Sequence, residues 1–238
     1  MIRFSHRLQV GSVAVIAATI ALTTLAGVAT AAPNALTAAP AASCSPKAYS
    51  YAGLVSDAPA QGIQTVITTQ AAPSVLVGHT AAWIGIGSPK AGPSGQAEWL
   101  QTGVNTQAGI GSELYAEITL PGKAPQYLTL ASGVTAGSSY RLAVVELPGQ
   151  PNVWHVLVNG KPVTGPVTLP GSSTFRPMAM GESWSGGAPH CNGFDYRFAQ
   201  LQTMTAGSWK ALTSTSVISD LGYKVIYKTN TGFTSVSG

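Results

Sequence analysis

The sequence predicts an all-β domain, a sandwich or barrel of the jelly-roll kind, from three observations. Short runs rich in β-branched and aromatic residues recur after about residue 48, with Gly, Pro, Ser and Asn between them. No run in that part of the sequence keeps apolar residues at helical spacing without a Gly or Pro breaking it. Asn159-Gly160, between two apolar runs, is a strong signal for a two-residue hairpin turn.

The predicted strands follow one another at short intervals, as in sandwiches built from many short strands. They cover residues 50–55, 62–69, 81–86, 98–104, 113–120, 126–130, 139–146, 153–158, 162–169, 177–184, 194–203 and 223–228. Twelve such strands without a helix between them favour antiparallel sheets packed face to face.

Alternation within these strands predicts one unusual face, because successive side chains point to opposite sides of a sheet. This face combines large aromatic, polar and glycine residues, and its candidate members are Trp83, Trp99, Gln101, Tyr115, Glu117, Glu182 and Trp184. Aromatic side chains supply contact area, polar groups fix orientation, and glycines allow a ligand to approach the backbone. We therefore expect a ligand-binding groove. A solvated outer face, or a second apolar core, is the alternative.

The N-terminus predicts export. Arg3 and Arg7 precede an apolar run over residues 10–28, and Ala29-Thr30-Ala31 offers small residues at a peptidase cleavage site. We expect a signal peptide at 1–31, an Ala/Pro-rich lead-in at 32–47, and a single β-sandwich domain at 48–238. The expected product is a secreted protein with no stable membrane anchor after cleavage. A retained transmembrane anchor is the alternative, since the apolar run is about long enough to span a bilayer.

Charge is scarce and narrows the classes of partner. The chain has 12 Lys and Arg, two of them in the predicted signal peptide, against eight Asp and Glu. Because no basic stripe occurs, nucleic acid is a poor candidate partner. His, Asp and Glu do not cluster in the sequence, so we expect neither a metal site nor a cofactor. We expect a monomer.

Two cysteines, Cys44 and Cys191, lie far apart in the sequence. In an exported protein such a pair most often forms a disulfide, which would tie the start of the domain to the segment after Glu182. The alternative is a catalytic thiol, with His190 beside Cys191 as its base. Neighbouring residues in a strand point in opposite directions, which favours the disulfide.

Four short motifs carry a resemblance to a known family. Trp-Ile-Gly-Ile at 83–86, Leu-Gln-Thr-Gly-Val at 100–104, Tyr-Ala-Glu at 115–117 and Met-Gly-Glu-Ser-Trp at 180–184 resemble, in this order, the motifs of the glutamic peptidases, the eqolisins. The resemblance covers residues 48–238. It implies that the domain is a concanavalin A-like pair of curved antiparallel sheets. It also implies that the protein is a divergent, secreted member of this family, of bacterial type.

The resemblance also implies a site and a reaction. Gln101 and Glu182 fall on the family's catalytic pair, with Trp83, Tyr115, Glu117 and Trp184 binding or supporting the substrate. Such a pair hydrolyses a peptide bond in acid: the Glu acts as general base and then acid, and the Gln amide stabilises the oxyanion. The expected partner is a polypeptide substrate.

Departures from the family pattern keep a second reading open. The supporting acid that usually follows Gln-Thr-Gly-Val is replaced by Asn105, and the tryptophans that flank Tyr-Glu in the family are missing here. The alternative function is a non-catalytic lectin-like module that binds glycan or peptide in the same groove. A further alternative is a glycosidase, with Glu117 and Glu182 as its two carboxylates. His79, which follows Gly78, is predicted to be a loop residue.

Overall fold

The computed structural model describes residues 49–184 and 191–237, and these residues fold almost entirely into β-strands. The strands are β1 (Tyr49–Ser56), β2 (Gly62–Thr69), β3 (Ser74–Val75), β4 (His79–Ser88), β5 (Glu98–Gln107), β6 (Gly111–Thr119), β7 (Gln126–Ser132), β8 (Ser139–Glu146), β9 (Val153–Val158), β10 (Lys161–Pro162), β11 (Val167–Thr168), β12 (Met178–Trp184), β13 (Asn192–Gly193), β14 (Asp195–Thr205), β15 (Ser208–Ala211), β16 (Thr215–Ser219), β17 (Tyr223–Thr229) and β18 (Gly232–Ser237). Short 3-10 turns occur at Pro93–Gly95 and Ser172–Thr174. The predicted all-β class is confirmed.

The described residues form two large antiparallel sheets and one small sheet in which β3 pairs with β13. The first, here called the groove sheet, has the strand order β16-β1-β12-β4-β5-β6-β7. The second, the outer sheet, has the order β10-β9-β8-β2-β14-β18-β17, with β11 added to β9 and β15 to β14. Strands distant in sequence, such as β1 and β12, are neighbours in the groove sheet. The predicted sandwich of two antiparallel sheets is therefore confirmed.

One hydrophobic core draws residues from both sheets. Ile84 and Leu100 of the groove sheet belong to the same buried cluster as Ile67, Leu142 and Phe198 of the outer sheet. Side chains alternate along β4: Ala82 and Ile84 point into this core, whereas Trp83 between them belongs to a separate buried cluster. The faces predicted from period-two alternation are thus the faces of the fold.

The hairpin after β9 forms as predicted. Asn159 and Gly160 connect β9 to β10 with φ values of 52° and 78°, the positive angles that this tight turn requires. The predicted strand 162–169 is wrong: only β10 and β11 pair with β9, at its two ends. Gly165-Pro166 interrupts the pairing, since Pro lacks the N–H that a ladder needs.

Several features predicted from the sequence lie outside the described residues. These are the signal peptide, the Ala/Pro-rich lead-in, Cys44 and His190. Cys191 is buried, and its pairing with Cys44 stays a prediction. Within residues 49–184 and 191–237 no helix is long and apolar enough to cross a membrane.

Candidate functional site

A groove of about 640 Å³ lies on the face of the groove sheet that points away from the core. Its lining combines aromatic rings with a few polar side chains, and its members include Tyr51, His79, Trp83, Trp99, Gln101, Asn105, Tyr115, Glu117, Tyr127, Met180 and Glu182. Such a mixture of aromatic area and few convergent polar groups is typical of ligand sites. Five of the six predicted catalytic and binding residues line it.

Strand register fixes where the two candidate catalytic residues lie. Glu182 on β12 is opposite Ala81 on β4, whose partner on β5 is Asn105. Gln101 is opposite Gly85, four residues further along β4. At about 3.3 Å per residue, the two levels are roughly 13 Å apart along the strands. β4 lies between their two strands, so the two side chains reach the same groove from β12 and from β5.

The Glu182 carboxylate is held on both oxygens. Trp83 Nε1 donates a hydrogen bond to Oε2 at 2.8 Å, and His79 Nε2 lies 3.0 Å from Oε1. Glu182 is only 7% exposed, so these partners replace much of the water that a carboxylate needs. Along β4, Trp83 lies nearer to the level of Gln101 than His79 does. The Glu182 head group is therefore held from both sides along the strand direction.

The Gln101 side-chain amide is held by two neighbours on β6. Its Nε2 donates to Tyr115 Oη at 3.2 Å and to Glu117 Oε2 at 3.3 Å. Glu117 is directly opposite Gln101 in the β5–β6 ladder. Trp99 Nε1 donates to the other Glu117 oxygen at 3.0 Å. The orientation of the Gln101 amide is thus set by the Glu117 carboxyl, which Trp99 holds in place.

Burial raises the pKa of the Glu117 carboxyl, and the negative charge of Glu182 adds to this effect. The hydrogen bond from Trp99 and the nearby His79 act in the opposite direction. Burial also raises the pKa of Tyr115 well above its ordinary value, and the charges of Glu182 and Glu117 add to it. Tyr115 therefore stays a neutral hydroxyl, and Glu117 gains a proton more readily than an exposed Glu.

Two glycines leave room for these side chains. A methyl group on Gly85 would lie 2.7 Å from Gln101 Cβ, and one on Gly103 would lie 2.8 Å from Trp83 Cβ. Real Cβ atoms essentially never approach that closely, so both positions admit glycine only. The Gly of Trp-Ile-Gly-Ile and the Gly of Leu-Gln-Thr-Gly-Val therefore have a steric role in the groove.

Asn105, at the position of the missing family acid, takes part in a short relay of hydrogen bonds. Its Nδ2 donates to Tyr127 Oη at 2.8 Å, and Tyr127 donates to Glu113 Oε1 at 2.7 Å. Tyr127 also stacks on Tyr115, with ring centroids 5.1 Å apart. A carboxylate is thus present at this end of the site, on β6 instead of β5.

The remaining predictions near the groove need correction. Trp184 is not part of the lining; it lies behind His79, with ring centroids 5.4 Å apart and planes 23° from parallel. The prediction that His79 is a loop residue is wrong: it begins β4 and points into the groove. A sequence signal existed, since His79 has the same strand parity as Trp83. Elsewhere, no three His, Cys, Asp or Glu side chains of the described ranges converge as metal ligands do.

Sheets in this order, with a groove on one of them, define a concanavalin-like β-sandwich. A crystal structure of scytalido-glutamic peptidase with a peptide-based transition state analogue superimposes with a TM-score of 0.58 at 11% identity, covering 81% of this chain and 98% of that one. SCP-B, an eqolisin in complex with the tripeptide Ala-Ile-His, gives 0.56 at 10% identity over the same shares. At such low identity the likeness establishes the fold. No protein-family model and no curated protein matches the chain.

Proposed function

We propose that this protein is a glutamic-peptidase-like hydrolase that cleaves peptide bonds in acid, outside the cell. The observation that supports the proposal is that two side chains with fixed head groups line one groove. Glu182 is held by Trp83 and His79, and Gln101 by Tyr115 and Glu117. Fixing reacting groups before the substrate arrives is how such sites lower a barrier.

The reaction needs one water and no covalent intermediate. The Glu182 carboxylate takes a proton from the water, whose oxygen attacks the carbonyl carbon of the scissile bond. The Gln101 amide donates a hydrogen bond to the oxygen that becomes negative. Glu182 then passes its proton to the departing amine nitrogen as the carbon–nitrogen bond breaks, which restores the carboxylate.

Glu117 supplies a reason for activity in acid. At neutral pH an ionised Glu117 competes for Gln101 Nε2, because a charged acceptor binds an N–H more strongly than a neutral one. Burial raises the pKa of Glu117, so it is neutralised at higher pH than an exposed Glu. Its hold on the amide then weakens, and one Gln101 N–H becomes available to the oxyanion.

The proposal is tested with the purified protein on denatured casein between about pH 2 and 5, with mass spectrometry to locate new termini. We expect cleavage by the wild type, and losses of at least roughly a hundredfold in Glu182→Gln and Gln101→Ala. Asp195→Asn, an equivalent change on the outer sheet, is the control and should cleave normally. Absence of cleavage at every pH, or full activity in Glu182→Gln, would overturn the proposal.

A second candidate function is favoured by the aromatic rings beside Glu182. Tyr49, 52% exposed, stacks on Tyr51 with centroids 5.9 Å apart and lies 6.2 Å from Trp184. Exposed aromatic faces suit sugar rings as well as peptide side chains, as in a non-catalytic lectin-like module. Binding of glycans on an array, without casein cleavage and with loss in Tyr49→Ala, would favour this candidate.

A further inference from the structure

His79 contacts the proposed catalytic carboxylate but has no part in the reaction described above. Its Nε2 lies 3.0 Å from Glu182 Oε1, within salt-bridge distance. The His79 side chain is 25% exposed, whereas that of Glu182 is 9% exposed. The imidazole is therefore more accessible to solvent than the carboxylate that it covers.

The imidazole is fixed from its other side. Trp184 stacks on the ring, and Tyr49 lies next to Trp184. The backbone of His79 is paired with Trp184 on β12 and with Gln107 on β5. A ring held between an indole and a carboxylate keeps one orientation, so its Nε2 stays directed at Glu182.

Few charged groups face His79 within the described residues. Glu182 on β12 is the nearest, and Glu117 on β6 is close enough for His79 to lower its pKa. Tyr49 and Tyr51 on β1 are neutral in acid, because burial and the charge of Glu182 raise their pKa values. On β5 the neighbours are amides, Asn105 and Gln107.

Among the described residues, the groove lining contains two carboxylates and, apart from His79, no side chain able to carry a positive charge. A protonated imidazole carries a positive charge, and at this position it would lie 3.0 Å from a Glu182 carboxylate oxygen. An adjacent positive charge favours the ionised form of a carboxyl group.

We infer that His79 is a positioning residue that keeps Glu182 ionised and oriented in acid, and so sets the lower pH limit of activity. This inference rests on the proposed function. A general base must be deprotonated to act, and in strong acid an unassisted Glu is not. His79 thus supplies the charge that lets a carboxylate work as a base at low pH.

The first test compares pH profiles of kcat for the wild type and His79→Gln, which keeps an N–H donor but never carries a charge. We expect the acid limb to move up by about one pH unit, and kcat at the acid end to fall about tenfold, with KM little changed. His155→Gln, on β9 of the outer sheet, is the control. Superimposable profiles for the wild type and His79→Gln would overturn the inference.

A second measurement keeps the inference testable if no substrate is cleaved. The carboxyl ¹³C signal of Glu182, assigned with Glu182→Gln, is followed by NMR as the pH is lowered. We expect Glu182 to protonate at higher pH in His79→Gln than in the wild type. Equal protonation in both would overturn the inference, whereas a shift without casein cleavage would sustain it and contradict only the proposed function.

Discussion

Gly103 lies directly opposite Trp83 in the ladder between β4 and β5, and a methyl group at 103 would clash with the Ala82 carbonyl oxygen and with Trp83 Cα and Cβ. The indole N–H of Trp83 in turn donates to Glu182. Gly103 therefore lets β5 approach β4 closely at Trp83, the residue whose indole holds the candidate catalytic carboxylate.

Gly103→Ala is expected to displace Trp83 and to lower both activity and stability. The new methyl group would clash with the Ala82 carbonyl oxygen and lie 2.8 Å from Trp83 Cα and from Cβ, so the β4 backbone must shift at Trp83. Overpacking of this kind costs about 1–3 kcal/mol in the free energy of unfolding, measured by urea denaturation. We expect casein cleavage to fall more than stability alone explains, because the Trp83–Glu182 hydrogen bond is disturbed.

The control for this change is Gly165→Ala, since a methyl group at Gly165 meets no atom within 4 Å. It should leave both the free energy of unfolding and cleavage nearly unchanged. If Gly103→Ala behaved like Gly165→Ala, the steric role assigned to Gly103 would be wrong.

Glu98→Gln is expected to change how stability depends on pH. Glu98 is fully buried, and both of its oxygens lie 3.2 Å from the backbone N of Gly171. Burial raises its pKa, although the Gly171 N–H opposes this. A carboxyl whose pKa is raised by folding stabilises the fold fully below its unfolded pKa, and this contribution is lost as pH rises through the folded pKa.

Urea unfolding at several pH values between 4 and 7 checks this sign. The wild type should lose more free energy of unfolding over that interval than Glu98→Gln, whose amide does not titrate. Asp195→Asn serves as the control and should follow the wild type. If the free energy of unfolding depended on pH identically in Glu98→Gln and the wild type, Glu98 would not contribute to that dependence.

Asn105→Asp restores the acid of the family pattern, and we expect it to destabilise this protein at neutral pH. Asn105 is 3% exposed and donates to Tyr127, whose own proton goes to Glu113. Aspartate removes that donor and adds a buried negative charge near Glu113. Loss of a buried hydrogen bond of this kind costs about 1–3 kcal/mol.

The cost should shrink near pH 3, where the new carboxyl is protonated and can donate to Tyr127. Thermal unfolding at pH 3 and pH 7 measures the difference. Asn159→Asp, in the exposed β9–β10 turn where Asp also tolerates positive φ, is the matched control. Equal melting temperatures for Asn105→Asp and the wild type at pH 7 would show that the hydrogen bonds from Asn105 to Tyr127 and from Tyr127 to Glu113 do not stabilise the fold.

Alternation along single strands was enough to predict the fold class and the groove face. Because a strand has period two, assigning Ile84 to the core assigns Trp83 and Gly85 to the other side. The same reasoning placed Gln101 beside Trp99, and Tyr115 beside Glu117, before any pairing was known. Strands β15, β16 and β18 were missed because they are short and rich in Ser, Thr or Lys.

Contacts between strands could not be predicted in the same way. The pairing of His79 with Trp184, and its contact with Glu182, depends on β12 lying beside β4, about a hundred residues away in sequence. Strand order and register come from the packing of both sheets, which no local pattern contains. For that reason Trp184 was assigned to the groove lining and His79 to a loop.

A peptidase groove favours the transition state of peptide hydrolysis over the peptide itself. Calorimetry at about pH 4 measures this preference directly, with a peptide from a casein cleavage site and its analogue in which a hydroxymethylene group replaces the scissile carbonyl. We expect the wild type to bind the analogue at least about a hundredfold more tightly, and Glu182→Gln to lose most of this preference. Equal affinity of the wild type for both peptides would show that the groove does not favour the transition state and would indicate a binding module.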